Sequence, residues 1–129
     1  MPQDCTGLAH VLFCLPNLRQ LSLRGARLNS GEAKVLASGL ARLTNLEALA
    51  LPSNSITDDS IPDVANALSK LHMLHTLSLS GNRIGKDGLR ALVEGLRTLP
   101  SLQKLDIQDN RTGVRLKAHF CYKTFFVPG

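Results

Sequence analysis

The chain has 129 residues and a net charge of +5, with 43% apolar residues, 4% aromatic residues and no Trp. Its length fits one domain, and a core so poor in rings has to be built from leucine. Three cysteines, an odd count without Cys-x-x-Cys spacing, argue against a disulfide framework or a zinc site. No stretch approaches the ~20 apolar residues of a membrane span.

Charge is unevenly placed. Residues 113–129 hold Arg115, Lys117 and Lys123 and no acid, so three of the five net positive charges sit there. The remainder is nearly balanced, and overall basicity alone does not argue for nucleic acid.

The first predicted element is a helix. Cys5, Leu8, Ala9, Leu12 and Leu15 stand at i, i+3, i+4, i+7 and i+10, one face of a 3.6-residue period. The apolar run from Leu8 to Leu15 lacks the basic segment of a signal peptide, because Asp4 is the only early charge. A short strand over Leu21–Leu23 follows, its leucines alternating inward. The next helix, over 31–43, carries Ala33, Leu36, Ala37, Leu40 and Leu43 on one face. Strand Leu49–Leu51 leads to a helix over 59–71 with Ile61, Val64, Ala65, Leu68 and Leu71. Strand Leu77–Leu79 leads to a helix over 87–99 with Leu89, Leu92, Val93, Leu96 and Leu99, and strand Leu105–Ile107 closes the series. Thr57, Asp58, Asp59 and Asp87 supply capping oxygens and negative charge at helix starts. Pro62 falls in a first turn, where a missing N–H costs little.

These elements repeat. Leu18, Leu46, Leu74 and Leu102 are each 28 residues apart, and the following leucines keep the same offset without insertion. A fixed period in this range marks a solenoid, and L-x-x-L-x-L-x-x-N-x-L is the leucine-rich repeat signature. The expected fold is therefore an α/β leucine-rich repeat solenoid: a right-handed arc with a parallel sheet on its concave face and helices on its convex face. The chain begins on the helix of a repeat, as a fragment, an isoform or the end of a longer solenoid would. Asn54, Asn82 and Asn110 follow the strands, where a buried amide can bond unpaired backbone groups of the turn and of its neighbour. That position also speaks against reading Asn110-Arg111-Thr112 as a glycosylation sequon. Ala26 replaces the asparagine in the first full unit, so its turn must be satisfied another way.

The turn into each helix, Asn54-Ser55-Ile56-Thr57-Asp58-Asp59 and Asn82-Arg83-Ile84-Gly85-Lys86-Asp87, resembles the ribonuclease-inhibitor-like leucine-rich repeats. Over residues 5–112 the chain looks most like the C-terminal repeats of a NOD-like receptor. The resemblance implies a cytoplasmic, ligand-sensing or regulatory protein-interaction module without enzymatic activity or cofactor. No nucleotide-binding domain accompanies the repeats, so no ATP-driven activity carries over. Two less favoured alternatives are a GTPase-activating regulator of the nuclear-transport type and a nucleic-acid-binding fragment.

Residues 113–129 depart from the repeats of 1–112. The register places Lys117, Phe120, Cys121, Thr124 and Val127 on a helix stripe where Lys117 and Thr124 fit poorly, and Arg115 replaces the acid at the helix start. Four of the five aromatics crowd here. The segment is either a divergent cap over the last repeat or sequence foreign to it and partly disordered; Pro128, in register with Pro100, favours the cap slightly, and the poor stripe residues favour the foreign sequence.

Catalytic chemistry finds little support. Gly81 to Asp87 is one residue short of a phosphate-binding loop, and Asp87 stands where Ser or Thr should bind magnesium. His72 and His75 have no third metal ligand in sight. Asp58 and Asp59 are adjacent and point apart. Cys5 and Cys121 read as small core residues, and Cys14 as an exposed one. The candidate partner surface has two parts. Outward-facing strand residues Gln20, Ser22, Ala48, Ala50, Thr76, Ser78, Lys104 and Asp106 line one face, unusually smooth in its two central rungs. Arg27, Arg83 and Arg111, which share one repeat position, form with Arg24 and Lys86 a basic edge suited to an acidic protein partner.

Overall fold

A computed structural model of the chain describes residues 5–111 and 117–119, without the side chains of Cys5, Thr6, Leu8, Ala9 and 117–119. The expected stripe positions of Cys5, Leu8, Ala9, Phe120, Cys121, Thr124 and Val127 lie outside that description, as does the choice between cap and foreign tail.

Strands and helices alternate. Helix α1 (Cys5–Phe13) precedes β1 (Gln20–Ser22), α2 (Ser30–Leu40) and β2 (Ala48–Ala50). A 3₁₀ turn over Asp58–Ser60 leads into α3 (Ile61–Leu68), followed by β3 (Thr76–Ser78), α4 (Lys86–Leu96), β4 (Lys104–Asp106) and β5 (Lys117–His119). The sheet order is β1-β2-β3-β4-β5. The first three pairings are parallel and keep the 28-residue register, with Leu21 opposite Leu49, Leu49 opposite Leu77 and Leu77 opposite Leu105. Parallel neighbours require a crossover, and each crossover here is one helix.

One expectation fails in kind. Lys117, placed by the register on a helix stripe, belongs to β5, which pairs antiparallel with β4. The missing acid and the poor stripe residues remove the reasons for a helix to start there.

Element boundaries also move. Each strand begins one residue before the predicted leucine, although Leu23, Leu51 and Leu79 still donate their N–H to the neighbouring strand, at 2.9 Å each. Helices stop at Leu40, Leu68 and Leu96. The next stripe leucines, Leu43, Leu71 and Leu99, enter the core through tighter i→i−3 bonds to those residues.

The core runs between sheet and helices. Leu43, Leu46, Ile56, Ile61, Leu68, Leu71, Leu74, Leu77, Leu79 and Ile84 are fully buried, each contributing roughly 1.5–3 kcal/mol. Burial fades at the first unit, where Leu18, Leu21 and Leu23 are only half-buried and Leu15, expected in the core, is 43% exposed. Leu89 and Val93 of α4 are likewise half-buried.

The asparagines bond as expected. Asn82 Oδ1 accepts from Ile56 N at 3.1 Å, while its Nδ2 donates to Leu51 O and Leu79 O at 2.9 Å each. Asn54 and Asn110 bond likewise, to Leu28 N and Leu23 O and to Ile84 N and Leu79 O. Each amide therefore staples its own turn to the unit before it. Asn110 is engaged on both its oxygen and its nitrogen but is only half-buried, unlike Asn54 and Asn82; Thr112 of the sequon lies outside the described residues. In the first unit the turn takes a different form: Arg27, after Ala26, has φ +58°.

Two capping expectations change. Thr57 caps no backbone N–H with its side chain, and Asp58 Oδ1 instead accepts from Gly85 N of the next unit at 2.6 Å. The best cap escaped the sequence reading. Asn29 Oδ1 accepts from Glu32 N at 3.0 Å, and Glu32 returns a carboxylate oxygen to Asn29 N at 3.1 Å. The signal was present as Asn-x-x-Glu, a capping box at the start of α2.

Candidate functional site

Side chains of a strand alternate between faces, so Leu21, Leu49, Leu77 and Leu105 turn into the core and their neighbours turn out. The outward residues of β1, β2 and β3 meet in one shallow depression of about 420 Å³, lined by Gln20, Ser22, Ala48, Ala50, Thr76 and Ser78 over Leu21 and Leu49. These are six of the residues the sequence singled out. Its floor is low because β2 offers only methyl groups. The flanks are polar: Ser78 Oγ lies 3.3 Å from Ser80 Oγ, while Gln20, Ser22 and Thr76 are exposed.

Lys104 and Asp106 extend the same face by strand register, opposite Thr76 and Ser78, but stand outside the depression. Asp106 Oδ1 also accepts from Gln108 N at 3.0 Å, which occupies part of its acceptor capacity.

The basic edge is less regular than the register suggested. Ser55, Arg83 and Arg111 donate their N–H groups to Leu28 O, Ile56 O and Ile84 O, so Arg83 and Arg111 are equivalent and both exposed. Arg27 is not equivalent to them, because its backbone is left-handed. Arg24 and Lys86 are exposed, on different units.

The loop resembling a phosphate site has no free cradle. Gly81 N donates to Gln108 O, Arg83 N to Ile56 O and Gly85 N to Asp58 Oδ1. Neighbouring units thus take three of the N–H groups that a phosphate would need. Among the described residues no group of three or more His, Cys, Asp or Glu comes together to hold a metal ion. Cys14 is exposed, as its repeat position indicated. No helix among the described residues is long and apolar enough to cross a membrane.

A second concavity was missed by the sequence reading. It lies between α2 and α3 in the helical layer and is lined by Lys34, Arg42, Lys70 and Asp63 with Ala37 and Ala67. Arg42 and Lys70 share one repeat position, which was the available signal. Their meeting with Lys34 depends on how far apart two helices stand, and no single-repeat pattern contains that.

The leucine-rich repeat family profile matches residues 70–93. A search of the curated proteins finds no match. Among solved structures, the chain is similar to the actin-binding site 2 of leiomodin-1, at 16% identity and a TM-score of 0.71, covering 87% of this chain and 65% of that one. It is similar to the tropomodulin C-terminal domain of Caenorhabditis elegans at 15% identity and a TM-score of 0.73, covering 87% and 68%. The Chaetomium Mex67:Mtr2 subunits match at 17% identity and a TM-score of 0.56, over 84% and 76%. This chain thus spans just under two thirds of the leiomodin chain it matches. At these identities the likeness shows the fold alone: an α/β arrangement of the leucine-rich repeat kind.

Proposed function

We propose that this chain is a non-enzymatic protein-recognition module whose sheet face receives the partner. The observation that carries the reading is the shallow depression over β1–β3, where six outward side chains from three units form one continuous surface. Its floor of Ala48 and Ala50 accepts a protruding partner side chain, and its hydroxyl and amide rim can orient it. An arc with this sheet on its inner side would enlarge the contact. Residues 1–112 are the recognition body in this reading, with Lys117–His119 paired beside β4 at the end of the sheet.

The narrower identity, a cytoplasmic sensor fragment of a NOD-like receptor, rests on the turn motif alone. None of the three similar structures is described as such a receptor, and one is described by its actin-binding site. Actin is therefore a concrete first partner to test, beside the nuclear-transport GTPase and nucleic acid.

The test is crosslinking capture from cell extract with the full chain and with an Ala48→Trp/Ala50→Trp variant of unchanged circular dichroism. Purified actin, a GTPase stimulation assay and a nuclease-treated extract run in parallel. Proteins lost with the variant and retained after nuclease support the reading. Identical capture by both chains would sink it, and loss on nuclease treatment would select the nucleic-acid alternative.

A further inference from the structure

The helical layer is sealed unevenly. At Gly95 a Cβ would lie 2.8 Å from Ala65 Cβ and 2.9 Å from Ala65 O, so α4 packs backbone-close against α3. One repeat earlier the same position is Ala67 rather than glycine. Between α2 and α3 lies a groove of about 400 Å³, with Ala37 and Ala67 among its lining residues.

Three cations and one carboxylate line it: Lys34, Arg42, Lys70 and Asp63. Arg42 and Lys70 follow the C-termini of α2 and α3, where a cation complements the helix dipole. That explains each separately but not Lys34, which lies in the N-terminal half of α2 and gains nothing from the dipole. Arg42 is also held in place, with its guanidinium over the Phe13 ring at 4.7 Å from the centroid. Among the described residues the ion pairs are Arg19–Glu47 and Glu94–Arg97, and no charge of the groove belongs to either. The three cations are therefore exposed, outside any ion pair among the described residues, and outnumber the one carboxylate on this concave surface.

We propose that the α2–α3 groove binds an acidic segment of a partner protein, with carboxylates answering Lys34, Arg42 and Lys70. This surface is distinct from the sheet face and stands whether or not that reading does. A peptide fits better than nucleic acid or an anionic bilayer, because both of those need a positive field over a wide area. Here Asp63 interrupts the positive surface, and residues 1–112 as a whole carry only two net charges.

Fluorescence anisotropy with the full chain tests it, using a short labelled peptide of alternating Glu and Ala, its Gln counterpart, and a single-stranded oligonucleotide of equal charge. The Glu peptide should bind and the Gln peptide should not. Substituting Lys34→Gln, Arg42→Gln and Lys70→Gln together should weaken binding about tenfold and flatten its salt dependence. Arg83→Ser/Arg111→Ser should leave it unchanged. Zero-length carbodiimide crosslinking of the wild-type chain needs no variant and should join the peptide to Lys34 and Lys70. Binding of the Gln peptide, an unaffected triple variant, tighter binding of the oligonucleotide, or crosslinks confined to other lysines would each overturn the proposal.

Discussion

The first and third units carry the same leucines in the same register and differ in what those leucines achieve. Leu74, Leu77 and Leu79 are fully buried, whereas Leu18, Leu21 and Leu23 are half-buried. Strand β3 has a parallel neighbour on each side, while β1 has one. A repeat leucine therefore draws its stabilisation from the units beside it, in line with the nearest-neighbour energetics of stacked repeats.

The sharpest test of that contrast is Leu77→Ala against Leu21→Ala. The interior change should cost about 2–5 kcal/mol and the edge change clearly less, read from urea denaturation midpoints at constant slope. Equal losses would break the comparison. Asn82→Ala comes next. It strips partners from the buried N–H of Ile56 and from two carbonyls, at roughly 2–3 kcal/mol, also by denaturation.

Gly95→Ala probes the tight junction of α3 with α4. Its Cβ would press on Ala65, so a loss of about 1–3 kcal/mol is expected. Thermal unfolding should show a lowered midpoint, and an unchanged one would mean that the helices separate freely. Asn29→Ala removes the capping box of α2 in the first unit and should cost about 1 kcal/mol, visible as reduced helix content or melting temperature. The smallest stability effect belongs to Arg83→Ser/Arg111→Ser, within about 0.5 kcal/mol. If these arginines serve an acidic partner of the sheet-side edge, its affinity and salt dependence should fall in titrations at two ionic strengths; Arg27→Ser should add little.

How much of this was legible is clearest in particular residues. Leu36, Leu40, Ile61 and Leu68 were placed in the core by 3.6-residue spacing and are buried there. Ser22, Ala50 and Ser78 were placed on the outer sheet face by alternation and meet in the depression. Asp58 was misread as a local cap, because its true partner, Gly85 N, lies 27 residues on. Leu15 was misread as core, because spacing shows which face a side chain takes and not what covers it. Arg27 was grouped with Arg83 and Arg111 by register, although a turn lacking asparagine follows another backbone path.

The sequence by itself determined the period, the parallel register, the leucine core and the asparagine staples. Each depends on contacts one repeat apart, and an identical repeat makes those contacts identical. The tertiary structure alone decided the graded burial of the first unit, the cross-unit use of Asp58, the antiparallel β5 and the open groove between α2 and α3. Those depend on where neighbouring units differ, as at Ala67 in α3 where α4 has Gly95, and on the edge position of β1, which has one strand neighbour among the described residues.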